Sequence, residues 1–225
     1  MIVVTGASRG LGRAICERLV SKGVGVFGLA RTVDGLPFPA IACDVASYDS
    51  VSAVAKHLRH EGMRIDGLVN AAGIASMNLA LTTPPAVSQN IVQTNLLGTI
   101  YCCQKIAPLM LRNKAGSIIN FSTIAVALGL KGESVYAASK AGVEGFTRAF
   151  AREMADFHVN VNCIAPGPID TELLRGITAT QIEHIVARQI LPRQFTPDAV
   201  SDLVEILLDE RSRSLSGVVL NVGGV

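Results

Sequence analysis

The sequence of 225 residues lacks the features by which several common classes of protein are recognised. No segment has the run of about 18 uninterrupted apolar residues that a membrane-spanning helix needs. The first residues, Met1 to Gly6, contain neither a basic leader nor a long apolar stretch. The 20 lysines and arginines nearly balance the 18 acidic residues and are scattered along the chain, so no basic field indicates a nucleic-acid partner. We therefore expect a soluble, cytoplasmic protein that binds neither a membrane nor a nucleic acid.

Disulfide and metal patterns are also missing. The five cysteines are odd in number, lie in apolar stretches and show no CxxC spacing, so we interpret them as buried free thiols. Among the four histidines, His57 and His60 share a charged helical stretch with Arg59 and Glu61, which is typical of a solvated helix face. The sequence therefore predicts no metal site.

The sequence does contain a regular alternation of short apolar runs and longer helical patterns. This alternation is typical of βαβ units whose parallel sheet is buried on both faces. The predicted strands are Ile2–Val4, Val24–Leu29, Ala40–Ala42, Gly67–Val69, Ser117–Phe121, Asn160–Ile164 and Val218–Asn221. The predicted helices are Gly10–Lys22, Ser47–Glu61, Asn95–Arg112, Tyr136–Asp156 and Pro197–Asp209.

These elements predict the class of fold. We expect a single α/β domain over residues 1–225, with a doubly wound, seven-stranded parallel sheet and helices on both of its faces. The stretch from Arg31 to Pro39 is short and rich in glycine and proline. The connection between the second and third strands is therefore expected to lack a full helix.

A glycine-rich segment joins the first predicted strand to the first predicted helix, and it reads Thr5-Gly6-Ala7-Ser8-Arg9-Gly10-Leu11-Gly12. Glycine lets the backbone turn tightly and approach a pyrophosphate, and the N–H groups and dipole of the helix start favour its negative charge. The spacing differs from the literal GxGxxG fingerprint, and an ordinary strand-to-helix turn is the alternative interpretation. The residues expected to bind a dinucleotide here are Gly6, Ser8, Arg9, Gly10, Leu11 and Gly12.

Arg31 follows the second predicted strand, at the position where a site for NAD usually offers an acidic residue to the ribose. With Arg9, it could bind a ribose 2′-phosphate through charge-assisted, bidentate hydrogen bonds. This arrangement favours NADP(H) over NAD(H) as the cofactor. The alternative is that both arginines are solvated surface charges.

Tyr136 and Lys140 are four residues apart at the start of a long helical pattern. The spacing puts the phenol and the ammonium group on one face of the helix. A tyrosine with a pKa of about 10 is a weak acid–base catalyst at neutral pH, and an adjacent cation that stabilises the phenolate improves it. A lone pair with this spacing also fits an aromatic core contact beside a lysine that extends to solvent, so the remaining motifs must decide.

In order and spacing, these motifs resemble those of the short-chain dehydrogenase/reductase family over essentially the whole chain. Besides the glycine segment and Tyr136-xxx-Lys140, the sequence contains Cys43-Asp44-Val45, Asn70-Ala71-Ala72-Gly73, Thr94-Asn95, Ser122-Thr123 and Pro166-Gly167-Pro168-Ile169-Asp170-Thr171. The resemblance implies a Rossmann fold that binds a nicotinamide dinucleotide. The layout is most similar to that of 3-oxoacyl-carrier-protein reductases, including the length of the segment from Thr171 to Pro192.

The resemblance also implies roles for individual residues. Tyr136 would be the general acid or base, Lys140 would bind the nicotinamide ribose and lower the pKa of the tyrosine, and Asn95 would hold a water molecule in a proton relay. Asp44 and Val45 would contact the adenine. Further cofactor contacts would come from Asn70, Ala71, Ala72 and Gly73, and from the segment that receives the nicotinamide amide, with Pro166, Gly167, Ile169 and Thr171.

One catalytic position departs from the family pattern. The family normally has a serine thirteen residues before the tyrosine, and this sequence has Thr123 there. Threonine keeps the hydroxyl that binds the substrate oxygen, although its β-branch restricts the side chain and adds a methyl group. Ser122 is the other candidate, but adjacent residues of a strand face opposite sides, so we favour Thr123. Ala71, where the family often has a second asparagine, is a milder departure.

The sequence therefore predicts an NADP(H)-dependent enzyme that interconverts a carbonyl and an alcohol by hydride transfer. Its substrate would be a small-molecule or acyl-thioester carbonyl compound, contacted by residues 74–83 and 124–135 and by a substrate loop at about 171–195. The resemblance implies a homotetramer or homodimer.

A non-catalytic dinucleotide-sensing or interaction module is one alternative function, which the intact Tyr136 and Lys140 disfavour. The other is a nucleotide-sugar epimerase or dehydratase, whose larger C-terminal substrate region has no counterpart in this sequence.

Overall fold

The computed structural model describes residues 1–174 and 177–225, and its strands form one parallel sheet. The strands are β1 (Ile2–Thr5), β2 (Val26–Ala30), β3 (Ala40–Ala42), β4 (Gly67–Asn70), β5 (Gly116–Phe121), β6 (Val159–Ala165) and β7 (Val219–Asn221). Their order is β3-β2-β1-β4-β5-β6-β7, and every neighbouring pair is parallel. The seven-stranded parallel α/β sheet predicted from the sequence is confirmed.

Helices cover both faces of this sheet. The α-helices are α1 (Gly10–Ser21), α2 (Tyr48–His60), α3 (Pro85–Val92), α4 (Gly98–Met110), α5 (Ala125–Leu128), α6 (Ser134–Ala155), α7 (Ala179–Val186) and α8 (Pro197–Leu208). A π-helical segment, Gln93–Leu97, joins α3 to α4. Buried side chains of α1 and α8 form the core on one face, and those of α2, α4 and α6 form it on the other. Both faces of the central strands are thereby removed from water, which explains their continuous apolar runs.

Three helical regions differ from the sequence prediction. The helix expected over Asn95–Arg112 is preceded by α3 and the π-helical segment, so the helical stretch begins at Pro85. The helix α7 and the short helix α5 were not predicted either. Both α3 and α7 have only 8 residues and bury a single isoleucine each, so their periodic signal in the sequence is short. The connection from β2 to β3 contains no helix, as expected.

The strand order reverses at β1, whose neighbours are β2 and β4. Connections from β1 and from β4 lead in opposite directions, which opens a crevice at the carboxyl ends of these strands. Because the strands are parallel, the segments that follow them emerge at the same edge. The motifs at residues 6–12, 70–73, 122–123 and 166–171 therefore lie along one edge of the sheet.

Two expected absences can be compared with the described part of the chain. No helix within residues 1–174 and 177–225 combines the length and apolar character of a membrane span. Within the same residues, no three side chains of His, Cys, Asp or Glu come together as a metal site would require. All five cysteines are free and buried, as predicted.

Candidate active site

The glycine segment after β1 is packed closely against its surroundings. Gly6 (φ +69°) and Gly10 (φ +55°) have left-handed backbone conformations that favour glycine. A Cβ atom at Gly12 would lie 2.3 Å from the carbonyl oxygen of Gly6, so only glycine lets α1 begin this close to the loop. Arg9 occupies the N-cap position and its side chain makes no capping hydrogen bond. The N–H groups of the first turn, beside the half-buried Ser8 and Leu11, are those that can bind a phosphate.

The two arginines expected at the ribose phosphate are both exposed. Arg31 directly follows β2, and its side chain makes no hydrogen bond or ion pair within residues 1–174 and 177–225. Arg9 forms an ion pair with Glu172, with 3.2 Å between Nη1 and Oε2. Exposed ion pairs of this kind contribute only about 0–1 kcal/mol. Arg9 can therefore exchange Glu172 for a phosphate at little cost.

The two residues expected at the adenine differ in exposure. Asp44 is exposed, and its carboxylate accepts a hydrogen bond from the Ala46 N–H at 3.0 Å. Val45 is buried, and a Cβ atom at Gly98 would lie 3.0 Å from its Cγ2 atom. Packing of Val45 holds the loop after β3 in place, and the exposed carboxylate of Asp44 can still accept further hydrogen bonds.

A chain of buried polar side chains lies behind the loop after β4. Asn70 donates to the Asn120 side chain at 2.9 Å, and Asn120 donates to Thr147 at 2.9 Å. At the loop itself, the Ala72 N–H donates to the Thr5 hydroxyl at 3.0 Å. A Cβ atom at Gly6 would lie 2.9 Å from the Cα atom of Ala72. The loops after β1 and β4, including Ala71, are thus held against each other.

The side chain of Asn95 fixes the next part of the same loop. Its Oδ1 atom accepts from the Ile74 N–H at 2.8 Å, and its Nδ2 atom donates to the Ile74 carbonyl at 2.9 Å. Nδ2 also donates to the Ser139 hydroxyl at 3.1 Å, and Ser139 in turn donates to the Tyr136 carbonyl at 2.7 Å. The two amide hydrogens of Asn95 are therefore used by Ile74 and Ser139, so a water in the predicted relay would have to donate to an oxygen of Asn95. The π-helical segment places the backbone carbonyl of Asn95 within 2.8 Å of the Thr99 hydroxyl.

Thr123 and Ser122 follow β5 and bind different partners. The hydroxyl of Thr123 accepts from the Ala125 N–H at 3.2 Å, and it lies close enough to the Tyr136 phenol to lower the pKa of that phenol. Ser122 is buried and donates to Oε1 of Glu144 at 2.7 Å. The fold therefore brings Thr123, and not Ser122, to the tyrosine.

Lys140 is buried on α6, one turn after Tyr136. Its Nζ atom donates to the carbonyl of Phe121 at 2.9 Å. A Cβ atom at Gly73 would lie 3.4 Å from this Nζ atom, so the glycine keeps the loop after β4 close to the ammonium group. Burial lowers the pKa of Lys140 to about 8, against a weaker opposing effect of Cys163.

The pKa of Tyr136 differs from the expectation that Lys140 lowers it. Burial of the phenol raises its pKa, the charge of Glu133 raises it further, and the hydrogen bond with Thr123 lowers it in part. The phenol is 8% exposed, so removal from water outweighs the polar contacts. Among the protein's own groups, the net effect is to keep the phenol protonated.

The segment after β6 is anchored on both sides. The Ile124 N–H donates to the Pro166 carbonyl at 3.1 Å, and Ile169 forms a parallel bridge with Phe195. The Leu174 N–H donates to the Thr171 carbonyl at 3.0 Å. The expected substrate loop at 171–195 begins there and contains α7, and its residues 175 and 176 lie outside the described residues.

Comparison with known families decides what these motifs belong to. A family model described as short chain dehydrogenase matches residues 1–182. The chain belongs to the short-chain dehydrogenase family.

Relatives within this family are similar along almost the whole chain. The sequence is 33% identical over 236 residues to 3-oxoacyl-[acyl-carrier-protein] reductase of Staphylococcus epidermidis, covering 99% of this chain and 96% of that protein. It is 34% identical over 231 residues to the enzyme of the same name from Vibrio harveyi, covering 99% and 95%. These relatives agree with the branch to which the layout was compared.

Solved structures agree with the family assignment. Ligand-free aldohexose dehydrogenase of Thermoplasma acidophilum has a TM-score of 0.90 and 32% identity, covering 99% of this chain and 92% of that one. The structure of ElxO with NADP bound has a TM-score of 0.89 and 25% identity, covering 98% and 96%. A similar fold thus occurs in an aldohexose dehydrogenase and in a protein with NADP bound.

Two buried polar residues of this short-chain dehydrogenase were missed by sequence reasoning. Glu133 is buried at the start of α6. Gln189 is buried after α7, and a Cβ atom at Gly167 would lie 2.1 Å from its Oε1 atom, which has no hydrogen-bond partner. Glu133 lies in a polar stretch and Gln189 directly before two apolar residues, and in neither place does the sequence indicate that the polar side chain is buried. For Glu133 the one available hint was its position three residues before Tyr136.

Proposed function

We propose that this short-chain dehydrogenase is an NADP(H)-dependent oxidoreductase that interconverts a carbonyl and an alcohol, in the manner of 3-oxoacyl-carrier-protein reductases. The observation that carries the proposal is the cluster at the carboxyl edge of the sheet, where Thr123 lies near the buried Tyr136 phenol and the buried Lys140 lies one helical turn away. The names of the bacterial relatives support an acyl-thioester substrate. The similarity to the structure of an aldohexose dehydrogenase supports small carbonyl compounds as the alternative class of substrate.

Two hydroxyl groups would hold the substrate oxygen. The Tyr136 phenol and the Thr123 hydroxyl are neighbours, so a carbonyl oxygen placed between them accepts a hydrogen bond from each. The nicotinamide, when bound, supplies or receives the hydride. Tyr136 passes its proton to the oxygen, and Lys140 is the nearest cation on the same helix face to stabilise the phenolate that forms.

Tyr136 enters the reaction as a phenol near neutral pH. Its pKa is raised by burial, so the group keeps its proton across the neutral range. Reduction uses this protonated form, whereas oxidation of an alcohol needs the phenolate. We therefore propose that oxidation, unlike reduction, becomes faster as the pH rises.

The residues present fit a dinucleotide. The uncapped first turn of α1 and the glycine positions would hold the pyrophosphate. Gly73 leaves space beside Asn95 and Lys140, because a Cβ atom there would lie 3.3 Å from Oδ1 and 3.4 Å from Nζ. Arg31, which is exposed after β2, would bind a 2′-phosphate with Arg9. On this basis we expect Arg31→Ala to weaken NADPH binding about tenfold and NADH binding much less.

The direct test is cofactor oxidation by the purified protein. NADPH and NADH would be offered with an acetoacetyl thioester and a panel of small ketones and aldehydes. We expect NADPH-dependent reduction that falls about 1,000-fold in Tyr136→Phe. The matched control is Tyr101→Phe, because Tyr101 lies on α4 in an edge-on ring contact with Tyr48. Saturable NADPH binding without turnover of any carbonyl compound would favour the non-catalytic sensor instead.

We also propose that the enzyme works in the cytoplasm as a homodimer or homotetramer, as the family resemblance implies. Light scattering coupled to size-exclusion chromatography measures the oligomeric state. A monomer at micromolar concentration would contradict this part of the proposal.

A further inference from the structure

Glu133 is a carboxyl group buried at the start of α6. It occupies the N-cap position of the helix and is only 8% exposed. A tight turn fixes its backbone, since Gly132 has φ +86° and the Glu133 N–H donates to the Leu130 carbonyl at 3.3 Å. The Glu133 carbonyl accepts from the Ala137 N–H at 2.7 Å. These bonds involve only the backbone, so the position does not depend on the carboxyl group.

The carboxyl group of Glu133 has no partner among the described residues. It does not cap α6, and it makes no hydrogen bond or ion pair within residues 1–174 and 177–225. By contrast, the carboxylate of Glu144 on the same helix accepts a hydrogen bond from Ser122 at 2.7 Å. Glu133 therefore keeps its capacity to accept hydrogen bonds from a bound molecule.

Glu133 lies beside the reacting end of the site. It is the N-cap residue of α6, and Tyr136 follows it by three residues, about one helical turn, on the same helix. Both residues are only 8% exposed, and the charge of Glu133 is the second cause, after burial, of the raised pKa of Tyr136. A substrate whose oxygen is bonded by the Tyr136 phenol would therefore lie close to Glu133.

We propose that Glu133 is a specificity residue whose carboxylate accepts a hydrogen bond from a donor group of the substrate near the reacting carbonyl. This inference rests on the proposed carbonyl chemistry and narrows its substrate class to carbonyl compounds that carry such a donor. The substrate then supplies the partner that the protein lacks. A site built to bond a polar group discriminates strongly against analogues without it, because its own polar group stays unpaired.

Two sources of the donor share this chemistry. One is a hydroxyl group on a carbon next to the carbonyl, as in hydroxyketones and sugars. The other is an amide N–H in the arm of an acyl thioester. Both are neutral donors that a carboxylate accepts, whereas a plain ketone offers Glu133 only an acceptor oxygen.

The test compares two matched pairs of substrates with NADPH and the full-length protein. Acetoin and 2-butanone differ by one hydroxyl group, and the N-acetylcysteamine and S-ethyl thioesters of acetoacetate differ by an amide-bearing arm. We expect kcat/KM to favour the donor-bearing member of one pair about 10- to 100-fold. The pair that shows the preference identifies the source of the donor.

Variants then assign the preference to Glu133. Glu133→Leu should reduce the ratio within that pair to about one, because the donor group of the substrate loses its partner. Removal of the charge also changes the pKa of Tyr136, which affects both members of the pair alike, so the ratio and not either rate is the readout. Glu133→Gln keeps an acceptor oxygen and should retain part of the ratio. The control is Glu153→Leu, which removes an exposed carboxylate of the same helix and should change neither ratio. Thermal unfolding of Glu133→Leu should occur no earlier than that of the wild type, since the lost carboxyl has no partner.

The outcomes separate this inference from the proposed function. Turnover of the substrates with ratios near one in the wild type, or with ratios unchanged in Glu133→Leu, overturns the role of Glu133 alone. Absence of NADPH oxidation with all four substrates and with the wider carbonyl panel overturns the proposed function, and the role of Glu133 with it.

Discussion

Thr123 and Ser122 are adjacent in the sequence, but their hydroxyl groups have different partners. Consecutive residues after β5 face opposite sides, so one hydroxyl meets Tyr136 and the other meets Glu144. The methyl group of threonine does not keep the Thr123 hydroxyl away from the phenol, whose pKa it lowers. The hydroxyl of Thr123 is therefore the one available to a substrate oxygen.

We expect Thr123→Ala to lower kcat for carbonyl reduction about 100-fold, because one of two donors to the developing oxyanion is lost. Thr123→Ser should keep most of the activity. Ser122→Ala is the matched control and should lower kcat by less than about threefold, since its partner is Glu144. Steady-state kinetics with NADPH measure all three. Equal losses in the two alanine variants, or the reverse order, would show that Thr123 has been misassigned.

Lys140 should make stability depend on pH. Its pKa falls from 10.5 to about 8 on folding because it is buried, so between these values the unfolded chain binds more protons and stability rises with pH. Relative to Lys140→Met, the wild type should gain about 3 kcal/mol across that window. Below pH 8 the cost of burying the ammonium group is fully present.

The measurement is the free energy of unfolding in urea at several values from pH 7 to pH 10 for both proteins. Unfolded cysteines also ionise in this range, but they do so in both proteins, so their effect cancels in the difference. A difference between wild type and variant that stays constant with pH would contradict the lowered pKa of Lys140.

The helices with several buried positions were predicted from the sequence, and the helices with a single buried position were not. The helices α1, α2, α6 and α8 have several buried positions each, and all four were predicted to within about two residues. Helices α3 and α7 each bury a single isoleucine. Their formation depends on caps and neighbouring elements, including the Thr178 and Gln181 capping box of α7.

The close approach of α1 to its loop makes a prediction about glycine. Gly12→Ala should destabilise the protein by at least about 2 kcal/mol, because the new Cβ atom would lie 2.3 Å from the Gly6 oxygen. The matched control is Gly145→Ala on α6, where nothing lies within 4 Å of the added Cβ atom. The control should be stabilised by up to about 1 kcal/mol. Urea unfolding distinguishes the two, and a tolerated Gly12→Ala would mean that the loop can move away from the helix.

Packing of the whole molecule around its sheet removes the cysteine thiols from solvent. Cys16 lies in the core beside α1 and α8, and Cys43, Cys102 and Cys103 lie in the core on the other face. Cys163 is completely buried in β6. Burial raises the pKa of each thiol, which lowers the fraction of reactive thiolate.

The five thiols should therefore react with a disulfide reagent only as fast as the protein opens. The rate measured with 5,5′-dithiobis(2-nitrobenzoic acid) should be slow in buffer and should rise with urea in parallel with unfolding. All five should react in the denatured protein. Rapid labelling of a thiol in buffer would indicate local opening that the packed cores do not show.

The strands, the glycine turn and the shared face of Tyr136 and Lys140 could be read from the sequence, because each depends on spacing between near neighbours along the chain. The folded chain was needed to show that Thr123 meets the phenol, that Arg9 pairs with Glu172, and that the Asn95 amide is bonded to Ile74. It was also needed to show that Glu133 is buried and that its carboxyl makes no hydrogen bond or ion pair with the residues that the structure describes. Each of these depends on segments that only packing brings together, or on removal from water, and neither leaves a periodic signal in the sequence.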